Sequence, residues 1–220
     1  MGMKTRRSPN FDDRSFTNID ILVIHYTGME TANAAINWMC NPESGVSAHY
    51  CICENGAVFQ LVDEEKRAWH AGLAFWRGAR NINARSIGIE LANPGHELGY
   101  QAFPEPQIAA LEVLCAQILA RHVIPAQNIV GHSDVAPRRK LDPGELFPWQ
   151  RLAVRGIGLW PKKISGNHEM PAVNLHRFGY EIKDKKASIR AFQRHFRPNC
   201  INGIWDTECE GLLAGLCLSG

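Results

Sequence analysis

The apolar run Asp20-Ile21-Leu22-Val23-Ile24 is too short for a helix and reads as a strand buried on both faces, with His25 at its end. Ser86-Ile87-Gly88-Ile89-Glu90-Leu91 alternates instead, which puts Ile87, Ile89 and Leu91 on one face and Glu90 on the other. Asn128 to Gly131 forms another short strand that delivers His132. Residues 49–53 and 57–62 flank Glu54-Asn55-Gly56, a hairpin signal through Asn-Gly. Between Gln107 and His122, apolar residues recur at helical spacing (Ile108, Leu111, Leu114, Cys115, Ile118, Leu119), and Pro106 and Pro125 bound that helix. A second helix is expected from Thr31 to Cys40, ended by Asn41-Pro42. The pattern predicts a mixed α/β fold, with a central mixed β-sheet flanked by helices. His25, Glu90 and His132 then sit at the C-terminal ends of strands, where α/β sheets commonly hold ligands.

Near Trp160 the composition turns polar, with Pro161, Lys162, Lys163, Ser165, Gly166 and Asn167. This predicts a first domain over 1–160, a linker over 161–170 and a small helical module over 171–220. In the module Ile189, Phe192 and Phe196 form a helical stripe, and Thr207 with Glu210 matches a capping box, with Asp206 as the competing cap. So small a piece has little core of its own. No chemistry-bearing residue singled out below lies beyond residue 160. The reaction is therefore expected to survive removal of the module near Ser165, unless Ile189, Phe192, Phe196 and Trp205 cover part of the first domain.

The 220 residues are 45% apolar and 21% charged, as in ordinary globular proteins. A net charge of +2 gives no reason to expect nucleic acid as a partner. No apolar run approaches the length of a membrane span. The N-terminal stretch is basic but lacks the apolar core of a signal peptide, so the chain as it stands reads as cytoplasmic; an export signal ahead of it would make it a periplasmic or cell-envelope protein. Seven cysteines, none in a C-x-x-C pair, suggest packing thiols and not a zinc finger.

The segment GHSDVAPRRKLDPG, from Gly131 to Gly144, combines His132, Lys140 and Asp142 with two prolines. Pro137 and Pro143 bias Ala136 and Asp142 toward extended backbone, which would put Lys140 and Asp142 on one face. Two histidines and one carboxylate suit a zinc site with an open fourth position for water. Hydrolysis of an unreactive amide then needs a proton carrier and a cation for the oxyanion; Glu90 and Lys140 are the natural choices. His25 and His132 form no local metal motif such as H-E-x-x-H, so spacing alone leaves a structural reading open. Asp134 fits a cap or turn better than a ligand. His49 and His70 are as consistent with buried structural histidines as with substrate contacts, and Trp69 could stack on sugar or peptide or fill the core. His96, His122, His168, His176 and His195 have no partner pattern and default to surface or packing.

The motifs IHYTG (24–28), SAHYCI (47–52), RAWHAG (67–72), SIGIEL (86–91) and GHSDVAPRRKLDPG with FPW (147–149) resemble the zinc-dependent N-acetylmuramoyl-L-alanine amidases. That is the amidase-2 family, related to peptidoglycan recognition proteins. The resemblance covers roughly residues 18 to 160 and implies one Zn2+ held by His25, His132 and Asp142, with Glu90 and Lys140 as the catalytic pair. It implies a peptidoglycan or muropeptide substrate, cut between N-acetylmuramic acid and L-alanine, with Trp69 and His70 as substrate contacts. A non-catalytic muropeptide receptor and a zinc peptidase acting within the stem peptide are the competing functions. IRAFQRHFRP followed by INGIWD resembles the three-helix peptidoglycan-binding module often fused to such amidases.

Overall fold

The computed structural model describes residues 2–14, 18–162 and 172–217. Its six-stranded sheet is built from β1 (Lys4–Thr5), β3 (Ile21–Tyr26), β4 (Tyr50–Ile52), β5 (Val58–Gln60), β7 (Ser86–Leu91) and β8 (Ile129–Gly131), in the order β1-β5-β4-β7-β3-β8. Only the β4–β5 hairpin is antiparallel; the other neighbours run parallel. A separate antiparallel pair joins β2 (Phe11–Asp13) to β6 (Lys66–Ala68). The mixed α/β architecture expected from the hydrophobic pattern is therefore present.

Alternation divides the sheet into two faces with different tasks. Leu22, Ile24, Ile87, Ile89 and Leu91 point one way and pack with Ile108, Leu111, Leu114 and Ile118 of α4 (Glu105–Arg121). The other face is covered in two pieces. Ala35, Ile36 and Met39 of α1 (Ala32–Met39) pack with Cys51 at one end of it. The α1 helix starts at Thr31, whose hydroxyl accepts from the Ala34 N–H at 3.1 Å. Cys51 and the partly buried Cys53 are packing residues here, as their position on a strand suggested.

At the other end, Ile21, Val23 and Val130 meet the C-terminal segment: α7 (Asn174–Phe178), α8 (Lys185–Phe196) and α9 (Thr207–Cys217). Leu175, Tyr180, Ile189, Phe192, Phe196 and Leu213 share one apolar cluster with Ile21, Val23, Trp76 and Val135. The stripe expected on α8 is present, and it packs against the sheet as well as against α7 and α9. Residues 163–170, most of the expected linker, lie outside the described residues. At α9 the cap is Asp206, whose Oδ1 accepts from the Cys209 N–H at 3.1 Å, and not the Thr207–Glu210 box. Among the described residues no helix is long and apolar enough to cross a membrane.

Candidate metal centre and active site

Register brings the site together. His25 on β3 is paired with Glu90 on β7, and Ile24 with Gly131, the last residue of β8. His132 follows as the first residue of the short helix α5 (His132–Val135), so three adjacent parallel strands present His25, Glu90 and His132 at one level. The loop after α5 returns Asp142 to the same point. Residues 137–139 and 142–143 form turns, whereas the prolines were expected to bias Ala136 and Asp142 toward extended backbone, yet Lys140 and Asp142 both line the same cleft.

The donor atoms are close. His25 Nδ1 lies 2.9 Å from His132 Nδ1 and 3.1 Å from Asp142 Oδ2, and His132 Nδ1 lies 3.0 Å from the same oxygen. All three residues are buried. Their outward nitrogens fix which ring nitrogen carries hydrogen. His132 Nε2 faces the Ala71 carbonyl at 3.1 Å, an acceptor only, so Nε2 holds the proton and Nδ1 is bare. For His25 the argument runs through two further residues. Ser86 donates its hydroxyl to the Ile82 carbonyl at 2.7 Å, so it accepts from His70 Nε2 at 3.0 Å. His70 Nδ1 then accepts from His25 Nε2 at 3.0 Å, which leaves His25 Nδ1 bare as well. Burial, reinforced by the neighbouring His132, lowers the His25 pKa to about 4, so the ring is neutral at pH 7. Three lone-pair sites thus converge with no hydrogen between them, and this group could hold a metal ion.

Asp142 feels two opposing influences. Burial pushes its pKa up, but the neighbouring His132, and then His25, outweigh it and keep the carboxyl well below the ordinary range. Glu90 differs although its Oε1 is only 4.0 Å from His25 Nδ1. Burial first, and then Asp142, push its pKa well up, against a smaller lowering by Lys140. Its Oε2 is buried without a hydrogen-bond partner among the described residues. The two carboxyl pKa values move in opposite directions because one lies against two imidazoles and the other is buried beside a second carboxylate.

The cleft, about 400 Å³, is lined by Glu90, His132, Lys140 and Asp142, with Trp69 and His70 on one wall. Residues 15–145 match a family described as N-acetylmuramoyl-L-alanine amidase. The chain belongs to that family. It is 38% identical to the N-acetylmuramoyl-L-alanine amidase AmiD of Escherichia coli K12, over 92% of this chain and 83% of that one. The structure of E. coli AmiD in complex with the substrate anhydro-N-acetylmuramic acid-L-Ala-D-gamma-Glu-L-Lys superimposes with a TM-score of 0.81 at 35% identity, covering 97% of this chain and 93% of that one. AmpDh3 of Pseudomonas aeruginosa, in complex with anhydromuramic pentapeptide, gives 0.82 at 30% identity over 97% and 95%.

Within this amidase all five residues singled out for chemistry meet at one place. His70 does not offer the cleft a free nitrogen, since both are engaged. Its ring lies against Gly88, where an added Cβ would come within 2.5 Å of it. Glycine in the SIGIEL strand was a signal of this close approach that the alternation did not reveal. His49 is structural, with Nδ1 accepting from the Gly88 N–H at 2.9 Å and Nε2 facing the Lys66 carbonyl at 3.1 Å. Trp38, 49% exposed on α1, lines the cleft too and was not singled out from the sequence. Four histidines assigned to surface or packing are partnered: His96 Nε2 reaches Glu145 at 3.1 Å, His122 Nε2 reaches Glu64 at 2.7 Å, His176 Nδ1 lies 3.3 Å from the Tyr180 carbonyl, and His195 is buried against Asp134.

Proposed function

We propose that this amidase cleaves the bond between the lactyl carbonyl of N-acetylmuramic acid and L-alanine using one zinc ion held by His25, His132 and Asp142. The observation that carries the metal assignment is the convergence of three hydrogen-free donor atoms, 2.9 to 3.1 Å apart, two of them on rings whose other nitrogens are tied down. A tetrahedral zinc with ligands at about 2.0–2.1 Å separates its donors by roughly 3.3 Å, close to that spacing. Bound zinc supplies Lewis acidity, which polarises a carbonyl and brings the pKa of water to about 7.

The chain's own residues carry the rest. Glu90, at the open side of the donor triangle, takes a proton from the attacking water on its carboxylate and delivers it to the amine as the C–N bond breaks. Burial and the nearby Asp142 raise its pKa, which makes the carboxylate a stronger base than an ordinary glutamate. Lys140 is half-buried in the cleft wall, and its ammonium stabilises the oxyanion that forms from the carbonyl. His70 and Ser86 orient His25. Trp69 and Trp38 present aromatic surface to the sugar and stem peptide. The C-terminal helices provide a second contact with the wall.

Metal analysis and product analysis test this together. One zinc per chain is expected, with activity lost on chelation and restored by zinc. Muropeptide should yield an intact muramyl sugar and a peptide with free N-terminal L-alanine. Full activity in verified metal-free protein would overturn the zinc assignment, and cleavage within the peptide would overturn the bond assignment.

A further inference from the structure

Asp134 lies two residues beyond His132 and is 1% exposed. Its Oδ2 accepts from the Gly131 N–H at 2.7 Å and from His195 Nδ1 at 2.7 Å. Its Oδ1 accepts from the Tyr180 hydroxyl at 2.7 Å. Two of these three donors come from the C-terminal segment, and the third belongs to the residue before His132. The His195 ring is held on both sides, by Trp149 with centroids 3.9 Å apart and by Phe196 at the same distance. Tyr180 is fully buried against Trp76.

The turn gripped in this way bears on both ends of the metal-ligand loop. Gly131 leads into His132, and the Ser133 N–H donates to the Asp142 carbonyl at 2.8 Å. The Ala136 N–H closes back on the His132 carbonyl at 2.9 Å. A carboxylate that accepts charge-assisted bonds inside the protein fixes direction as well as distance. Displacing it would move His132 and Asp142 together.

We propose that Tyr180 and His195 are positioning residues for the metal centre. Through Asp134, the C-terminal helices hold the turn that carries His132 and grips Asp142, so the tail helps assemble the site. This rests on the reading of His25, His132 and Asp142 as zinc ligands.

Full-length Tyr180→Phe, which removes one oxygen and keeps the ring, and His195→Phe and His195→Asn test it. Zinc affinity by chelator competition, the visible spectrum of the cobalt-substituted protein and kcat with KM on a soluble muropeptide are measured. Melting of the metal-free proteins is followed in parallel. Residues supporting metal ligands are commonly worth about 10–100-fold in affinity or activity. Tyr180→Phe and His195→Phe should weaken zinc binding by roughly that factor and alter the cobalt spectrum. The kcat should fall with KM little changed. His195→Asn, whose amide N–H can replace Nδ1–H, should recover much of the loss. Wild-type zinc affinity, spectrum and kcat in folded Tyr180→Phe and His195→Phe would overturn the inference alone. Failure of the wild-type chain to bind zinc would overturn the metal assignment and this inference with it.

Discussion

At the residue scale the site depends on giving two neighbouring carboxyls opposite roles. Asp142 lies against the His25 and His132 imidazoles and stays ionised; Glu90, buried beside Asp142, holds a proton more readily. Glu90→Gln keeps the shape but removes the proton carrier. Turnover should fall roughly 10²–10⁴-fold with zinc content unchanged, read by single-substrate kinetics and metal analysis. Loss of zinc along with activity would instead make Glu90 a ligand. Asp142→Ala should behave oppositely, leaving apo protein at zinc concentrations that saturate the wild type.

Elements set the level at which these residues meet. Because β3, β7 and β8 are parallel and in register, their C-terminal ends present His25, Glu90 and His132 side by side. Gly88, two residues before Glu90 on the same face, admits the His70 ring that steadies His25. Gly88→Ala should lower the melting temperature, since overpacking costs about 1–3 kcal/mol. It should also weaken zinc binding, because the ring nearest the new methyl is a supporting one; unchanged affinity would remove His70 from that role. Elsewhere Glu64 ties β4 to the end of α4. Burial raises its pKa, but hydrogen bonds from Arg121, His122 and Tyr50 prevail and bring it to about 2. The folded pKa lies below the ordinary value, so this contribution is present above about pH 4.3 and is lost as pH falls toward 2. Glu64→Gln should lack that part of the acid dependence in melts taken across the window.

For the whole molecule, the tail's packing changes an expectation. Ile21, Val23, Val130 and Val135 share a cluster with Leu175, Phe178, Phe192 and Phe196. Removing residues 163–220 would expose that face and strip two donors from Asp134. An unpartnered buried polar group alone costs about 1–3 kcal/mol, more for a charge. The shortened chain should therefore melt lower, bind a dye that reports exposed apolar surface and lose rate on soluble muropeptides. The sequence, which places no chemistry beyond residue 160, leads one to expect that rate to survive. Equal melting temperature and rate in both chains would restore the separable-module view.

The sequence by itself determined the elements whose faces are chemically distinct. Long apolar periodicity specified α4, alternation specified β7 with Glu90 opposite Ile87 and Ile89, and the ordered family motifs pointed to the five residues proposed to carry the chemistry. Tertiary structure decided what depends on partners far along the chain. Strands β1, β2 and β6 are short and mostly polar, so they exist only because β5 and one another complete their hydrogen bonds. His70 was a substrate-contact candidate from the RAWHAG motif and His195 a surface or packing default, and neither reading named the group its ring faces. One supports His25 and the other holds Asp134, because long-range packing chose the group each ring would face. Periodicity reports which face is buried; it carries no information about which distant residue lies against it.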